Sequence, residues 1–164
     1  MILQGVSIKS TGAYLPENIL SNSEIEKSAD TTDAWMQNKL GIHERRSCSD
    51  FETVSYMGAN AAKVAMENAG VSKEDIDLIV VATSSPEKIS PSTACTIHNL
   101  LGFTKNIPCY DINAVCSGFL FAVATTAPMI SLGMYENVLV IATESYSRIT
   151  DWTHRDCAFF GDGA

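Results

Sequence analysis

Two short runs constrain this chain more than anything else in it. Ile76 to Ala82 is almost wholly apolar, and Asn137 to Thr143 repeats the pattern; each has the length of a strand. A strand with one wet face alternates apolar and polar residues, whereas a run without alternation is buried on both faces. Both runs therefore belong inside a sheet that helices cover. The segments around them supply the helices. Val54, Met57, Ala61, Val64 and Ala65 recur at helical spacing over residues 53 to 69, and Gly70 follows as a stop. Pro91 opens a second helix that ends near Gly102. Ile107 to Ile112 predicts a further strand, and Cys116 to Leu132 a long apolar helix. Strands that alternate with helices predict an α/β fold with a mixed, mostly parallel sheet covered by helices.

The flanks are less regular. Val6 to Ile8 predicts a first short strand, ended by Gly12 and Pro16. Ser21 to Ala29 predicts a short helix around Ile25. Thr32 or Asp33 is placed to cap another helix, which carries Trp35 and Met36 and stops at Gly41. Phe160-Gly161-Asp162-Gly163-Ala164 is a turn signal of the kind that leads into a strand.

A chain of 164 residues with 46% hydrophobic content fits one domain with one core. The net charge of -8 argues against nucleic acid, because phosphate contacts need Lys and Arg. The longest apolar stretch, near Phe119 to Ala124, is too short to span a bilayer. No basic-then-apolar leader pattern opens the chain. Five cysteines without CxxC spacing argue against a disulfide framework or a metal site. A cytoplasmic setting is the expectation.

Cys116 stands out by position. Asn113 to Phe119 joins a buried strand to a buried helix, which puts Cys116 at or near a helix N-terminus. Unpaired amides there carry partial positive charge and favour thiolate, lowering a thiol pKa from about 8.5 toward neutrality. A thiolate attacks thioesters readily and leaves readily. Position alone leaves both a reactive thiol and a buried structural cysteine open. Cys95, Cys109 and Cys157 sit in apolar patterns and read as structural, and Cys48 lies in a polar loop. Ser117 is a weaker candidate, since its neighbours do not form G-x-S-x-G. His43, His98 and His154 read as structural or surface residues. No GxGxxG signature marks a dinucleotide-binding domain.

Several segments occur in a telling order: Thr32-Asp33-Ala34-Trp35, Gly41-Ile42-His43-Glu44-Arg45-Arg46, Val81-Ala82-Thr83-Ser84, Pro91-Ser92, Cys116-Ser117-Gly118-Phe119 and Phe160 to Ala164. In this order the chain resembles the N-terminal half of a ketoacyl-acyl carrier protein synthase III, a condensing enzyme of the thiolase-fold superfamily. The resemblance runs over essentially all 164 residues. It implies a thiolase-like half with Cys116 as the acyl-accepting nucleophile. Acyl-CoA would load Cys116, and malonyl-acyl carrier protein would then lose CO2 and attack the thioester to give a 3-oxoacyl product. Trp35 matches a position that stacks on the coenzyme A adenine, and Arg155 a position on the ring's other side. Thr31 is a neighbour, and Lys39 lies near the coenzyme phosphates. The resemblance also implies a homodimer and no cofactor beyond acyl-CoA as substrate. Arg45 and Arg46 are the candidates for a basic patch that docks an acidic acyl carrier protein. Other acceptors, a polyketide-type synthase or a non-catalytic partner subunit, are the competing readings.

The chain departs from the family pattern at four places. Lys39 replaces the usual Arg and loses its bidentate fork. Val115 precedes Cys116 where Ala is usual. Pro128 falls inside the Cys116 helix, where proline costs about 3 kcal/mol. Ser90 stands where a bulky residue often shapes the acyl pocket across the dimer. The family's carbanion-stabilising His and Asn lie in a duplicated second half, beyond Ala164. The expectation is therefore a fragment or one polypeptide of a split enzyme, unable to condense alone and with a large apolar face exposed.

Overall fold

The structure, a computed structural model, describes residues 5–164. Its centre is a three-stranded parallel sheet in the order β4-β3-β5, formed by β3 (Leu78–Ala82), β4 (Cys109–Ile112) and β5 (Val138–Ala142). All five residues of β3 are buried. Ile79 and Val81 point into one cluster with Ala59 and Ala62 of α3 (Val54–Ala69) and Ala94 and Ile97 of α4 (Thr93–Leu100). Leu78, Val80 and Ala82 point to the other face, against Ala122 of α5 (Gly118–Ser131). The missing alternation in the sequence thus reports a strand with a helix layer on each side.

Local chemistry sets the helix ends. Thr53 accepts the Tyr56 amide at the start of α3, and Gly70 closes the helix with φ +63. Ser92 caps α4. Asp111 of β4 adds a second cap there, accepting the amides of Thr93 (2.7 Å) and Ala94 (2.8 Å). That carboxylate couples the strand before Cys116 to the helix beside it. α5 runs through Pro128 without a break. The hydroxyls of Thr125 and Thr126 donate to the Ala122 carbonyl, both at 2.9 Å, in the turn that the proline disturbs.

A satellite layer precedes the sheet. β1 (Asn18–Ser21) pairs antiparallel with β2 (Glu44–Ser47). Between them lie α1 (Asn22–Ile25), α2 (Asp33–Trp35) and a wide π-type turn over Met36–Leu40 that Gly41 closes. After β5, β6 (Glu144–Ser145) pairs with β7 (Asp162–Gly163).

Two expectations need correction. Val6 to Ile8 forms no strand. A strand needs a hydrogen-bonding neighbour, and this stretch faces a cavity instead; residues further along it are tied to α3. The Ser10 hydroxyl donates to the Ala65 carbonyl at 2.6 Å, and Asn68 holds the Thr11 carbonyl at 2.9 Å. The helix predicted from Cys116 begins two residues later: Val115–Ser117 is a 3-10 turn and α5 starts at Gly118. No helix among the described residues is long and apolar enough to cross a membrane.

Gly12 is where the N-terminal segment touches α3. A Cβ there would lie 2.4 Å from both the Ala61 carbonyl oxygen and the Ala65 amide nitrogen. Backbone cannot yield as a side chain can. Gly12→Ala is expected to cost about 1–3 kcal/mol, the usual range for overpacking. Chemical denaturation measures it, and an unchanged midpoint would contradict the contact.

Candidate active site

The carboxyl ends of β3, β4 and β5 meet at one edge of the sheet. The Thr83 amide donates to the Ile112 carbonyl (3.1 Å), and the Thr143 amide to the Ala82 carbonyl (3.2 Å). In open α/β sheets this edge is where ligands bind. The chain leaves β4 there and turns sharply at Val115, whose φ is +48. Val115 is the only non-glycine residue at positive φ among the described residues. The conformation crowds a β-branched side chain, and strain of this kind gathers at functional sites. It lifts Cys116 outward, so the thiol is exposed.

Gly118 lets α5 start close to the sheet. A Cβ on it would lie 3.1 Å from the Ala82 Cβ. Ser117, in the capping position of α5, makes no side-chain cap bond. The first amides of the helix thus have no side-chain acceptor from Ser117.

A carboxylate that sequence reasoning missed organises the same edge. Glu144 Oε1 accepts from the Ser84 amide (2.8 Å) and hydroxyl (2.7 Å). Oε2 accepts from the Thr83 hydroxyl (3.2 Å), the Ser85 amide (3.0 Å) and the Ser85 hydroxyl. The loop after β3 is therefore clamped to the first residue of β6. The visible signal was a lone acid two positions beyond a fully apolar strand, facing three hydroxyl residues beyond another.

Trp35 and Arg155 come together elsewhere. The Arg155 guanidinium lies 4.7 Å from the indole centroid, and Phe159 meets the same ring edge-on at 6.4 Å. Thr32 places the indole by accepting the Trp35 amide at 3.2 Å. Arg155 opens a 3-10 stretch (Arg155–Phe159) whose start His154 caps, its Nδ1 accepting from the Asp156 amide. Buried Arg45 ties these pieces together, donating to Asn22 Oδ1 (2.9 Å) and to the Ala158 carbonyl (3.2 Å). Asn22 in turn donates to Asp33 Oδ1 at 2.8 Å. Burial pushes the Arg45 pKa below its ordinary value.

Lys39 is exposed on the π-type turn beside Trp35. The Thr31 hydroxyl oxygen is buried with no hydrogen-bond partner, an orphan suited to a ligand group. No hydrogen bond or ring contact joins Cys116 to Trp35, Lys39 or Arg155 among the described residues. A relay does connect the two regions: Phe160 stacks on Tyr146 at 4.8 Å, and the Tyr146 hydroxyl meets Ser84 Oγ at 2.7 Å.

The structure corrects two further readings. Arg45 is only 7% exposed and is no part of a docking patch, since its guanidinium is spent inside. Cys95 is exposed, not a structural core residue. Cys157 is buried as expected. His98 bonds the Lys105 carbonyl (3.0 Å) and stacks on Phe103, in keeping with a structural role.

With this geometry the comparisons are specific. The family model for 3-oxoacyl-[acyl-carrier-protein] synthase III matches residues 110–164, which include the Cys116 corner. A beta-ketoacyl-[acyl-carrier-protein] synthase III from Sulfurovum sp. is 48% identical over 160 residues, covering 96% of this chain and 47% of that protein. The Clostridium acetobutylicum synthase III is 45% identical, covering 99% and 50%. Over nearly all of its length the chain is similar to about half of a synthase III. Among solved structures, the synthase III of Aquifex aeolicus superposes with TM-score 0.91 at 44% identity, covering 97% of this chain and 51% of that one. The priming β-ketosynthase of the R1128 polyketide pathway superposes with TM-score 0.88 at 34% identity, covering 95% and 47%. The fold is thiolase-like, and the chain spans about half the length of the curated synthase III relatives it matches.

The strain at Val115 is measurable. Replacing it with glycine removes the Cβ that the positive φ crowds. Val115→Gly is expected to raise unfolding stability by about 1 kcal/mol, the strain released less the entropy that glycine adds to the unfolded chain. Thermal unfolding reads this, and a less stable variant would mean that the corner holds no strain.

Proposed function

We propose that Cys116 is an acyl acceptor. Its thiolate attacks the thioester carbonyl of an acyl-CoA, a sulfur–carbon bond forms to Cys116, and coenzyme A leaves as its thiolate. In the assembled enzyme, malonyl-acyl carrier protein then loses CO2. Its carbanion attacks the acyl-Cys116 carbonyl, the Cys116 sulfur leaves, and 3-oxoacyl-acyl carrier protein is released. This is the step that starts fatty-acid-type chains. The observation that carries the reading is the corner: an exposed Cys116 lifted by a strained Val115 at the carboxyl ends of three parallel strands. Similarity to the synthase III family supports it. The same reading carries a homodimer and a cytoplasmic setting. It also places the nucleophile half of the enzyme in residues 1–164, with the decarboxylating His and Asn supplied by the second half.

Trp35, Arg155, Thr31 and Lys39 are proposed to hold the coenzyme. A flat base fits between an indole and a guanidinium, and Lys39 meets phosphate as a point charge. Arg155 already rests on the indole face at 4.7 Å, so the base displaces it on entry. The unpartnered Thr31 hydroxyl gives a polar contact nearby.

Intact-mass analysis after incubation with acetyl-CoA and longer acyl-CoAs tests the first claim. The chain is expected to gain one acyl group and Cys116→Ala none; an equal adduct on the variant would remove Cys116 from the role. The similarity to a polyketide priming synthase supports a second acceptor class. Failure of malonyl-acyl carrier protein to discharge the adduct in the assembled enzyme would favour it.

For the coenzyme site, Trp35→Ala is expected to weaken coenzyme A binding about tenfold, near 1.4 kcal/mol, by titration calorimetry. Pantetheine, which lacks the adenine, should bind both proteins alike. An equal loss for pantetheine would place Trp35 outside a base-binding role.

A further inference from the structure

Arg45, on β2, is a buried cation without an anionic partner. None of the ion pairs among the described residues includes it. Burial lowers its pKa, and its Nε lies buried without a hydrogen-bond partner. Both features are costs to the fold. A well-packed apolar side chain in place of such a charge is often neutral or stabilising, so stability alone is a poor reason for a guanidinium here. What the guanidinium has, and an apolar residue lacks, is a planar fork of donors at fixed angles.

The fork joins two pieces of chain that are far apart in sequence. Nη2 donates to the Ala158 carbonyl at 3.2 Å and to Asn22 Oδ1 at 2.9 Å, and it lies 3.6 Å from Met36 Sδ. Nη1 reaches the Leu20 carbonyl at 3.4 Å. Ala158 is buried in the 3-10 stretch that Arg155 opens, and Met36 is buried directly after Trp35. Asn22 extends the tie. Its amide donates to Asp33 Oδ1 and to the Ile42 carbonyl, both at 2.8 Å, and so grips the Trp35 segment at its two ends. Gly161 makes room for the stem: a Cβ there would lie 3.0 Å from the Arg45 Cβ.

The side chains that would meet the base are held quite differently. Arg155 is exposed, and its guanidinium makes no hydrogen bond among the described residues; it rests only on the indole, at 4.7 Å. A flat base between the two needs about 3.5 Å on each side, so the guanidinium must retreat to about 7 Å from the indole. The Arg155 side chain is free to make that move. The backbones that carry the two walls are not free to drift, because Arg45 spans them. We infer that Arg45 is a positioning residue for the coenzyme: it fixes the spacing of the Trp35 wall and the Arg155 wall so that one flat base fits, and it does so without touching the base. The inference rests on the proposal that Trp35 and Arg155 hold the coenzyme.

Titration calorimetry of the assembled enzyme with coenzyme A and with pantetheine is the test. Arg45→Met fills the space and removes the donors. It is expected to weaken coenzyme A about tenfold, the whole contribution of Trp35, and to leave pantetheine within about twofold. In a Trp35→Ala background the same change is expected to weaken coenzyme A by less than about twofold, since a residue that acts through Trp35 then has nothing left to place. Arg45→Lys keeps the charge and loses the fork, so it should weaken coenzyme A as Arg45→Met does. It carries the test alone if circular dichroism shows that Arg45→Met does not fold. Full affinity in Arg45→Lys, an equal loss for pantetheine, or additive losses in the double variant would overturn the proposal. If Trp35→Ala weakens coenzyme A and Arg45→Met does not, this inference falls alone. If neither variant weakens it, the coenzyme reading falls as well.

Discussion

Everything in this molecule is hung on β3. It is the middle strand, it hydrogen-bonds in parallel to β4 and β5, and none of its five side chains reaches water. Because odd and even positions feed two separate apolar clusters, β3 holds α3 and α4 on one face and α5 on the other. Removing a buried Ile or Leu from such a place costs about 2–5 kcal/mol, a large part of a small domain's stability. Parallel pairing also fixes direction. It brings the three carboxyl ends to one edge, and every feature of the Cys116 corner follows from that edge.

Much of the local chemistry serves to keep the edge in shape. Glu144 collects Thr83, Ser84 and Ser85, Asp111 holds the start of α4, and the missing Cβ of Gly118 lets α5 begin against Ala82. These contacts over-determine the backbone on both sides of Val115, which is how a strained residue persists. The cluster around Trp35 and Arg155 is built on a different principle. Its ties run through buried Arg45 and Asn22, polar groups that are costly to bury and costly to strip of their partners. That makes the placement of Trp35 and Arg155 depend on a few hydrogen bonds more than on apolar packing.

Legibility followed physical range. Some helix ends were plain because caps and stops act over a few residues: Thr32 caps, and Gly41 and Gly70 both terminate, while the caps at Thr53 and Ser92 emerged only in the structure. The corner at Cys116 was legible because a strand-to-helix junction is a local event. Three things were not legible. Val6 to Ile8 has strand chemistry, but a strand exists only when a neighbour's backbone is within reach. Arg45 looked like a surface cation, and only the approach of Ala158, more than a hundred residues away, shows it buried. Glu144 looked like one acid among many until the loop after β3 closed around it.

The exposed apolar face of α5 belongs to the same lesson. Leu120 is 70% and Phe121 56% exposed on a helix that composition alone assigns to an interior. Composition says that such residues want cover; it does not say what covers them. By itself the sequence determined the α/β class, the double burial of β3, some helix ends and the corner at Cys116, because short-range patterning and backbone chemistry settle these. The tertiary structure alone decided the strain at Val115, the clamp at Glu144 and the contact of Arg155 with Trp35. Each depends on groups distant in the chain meeting in space, and no local pattern encodes that meeting.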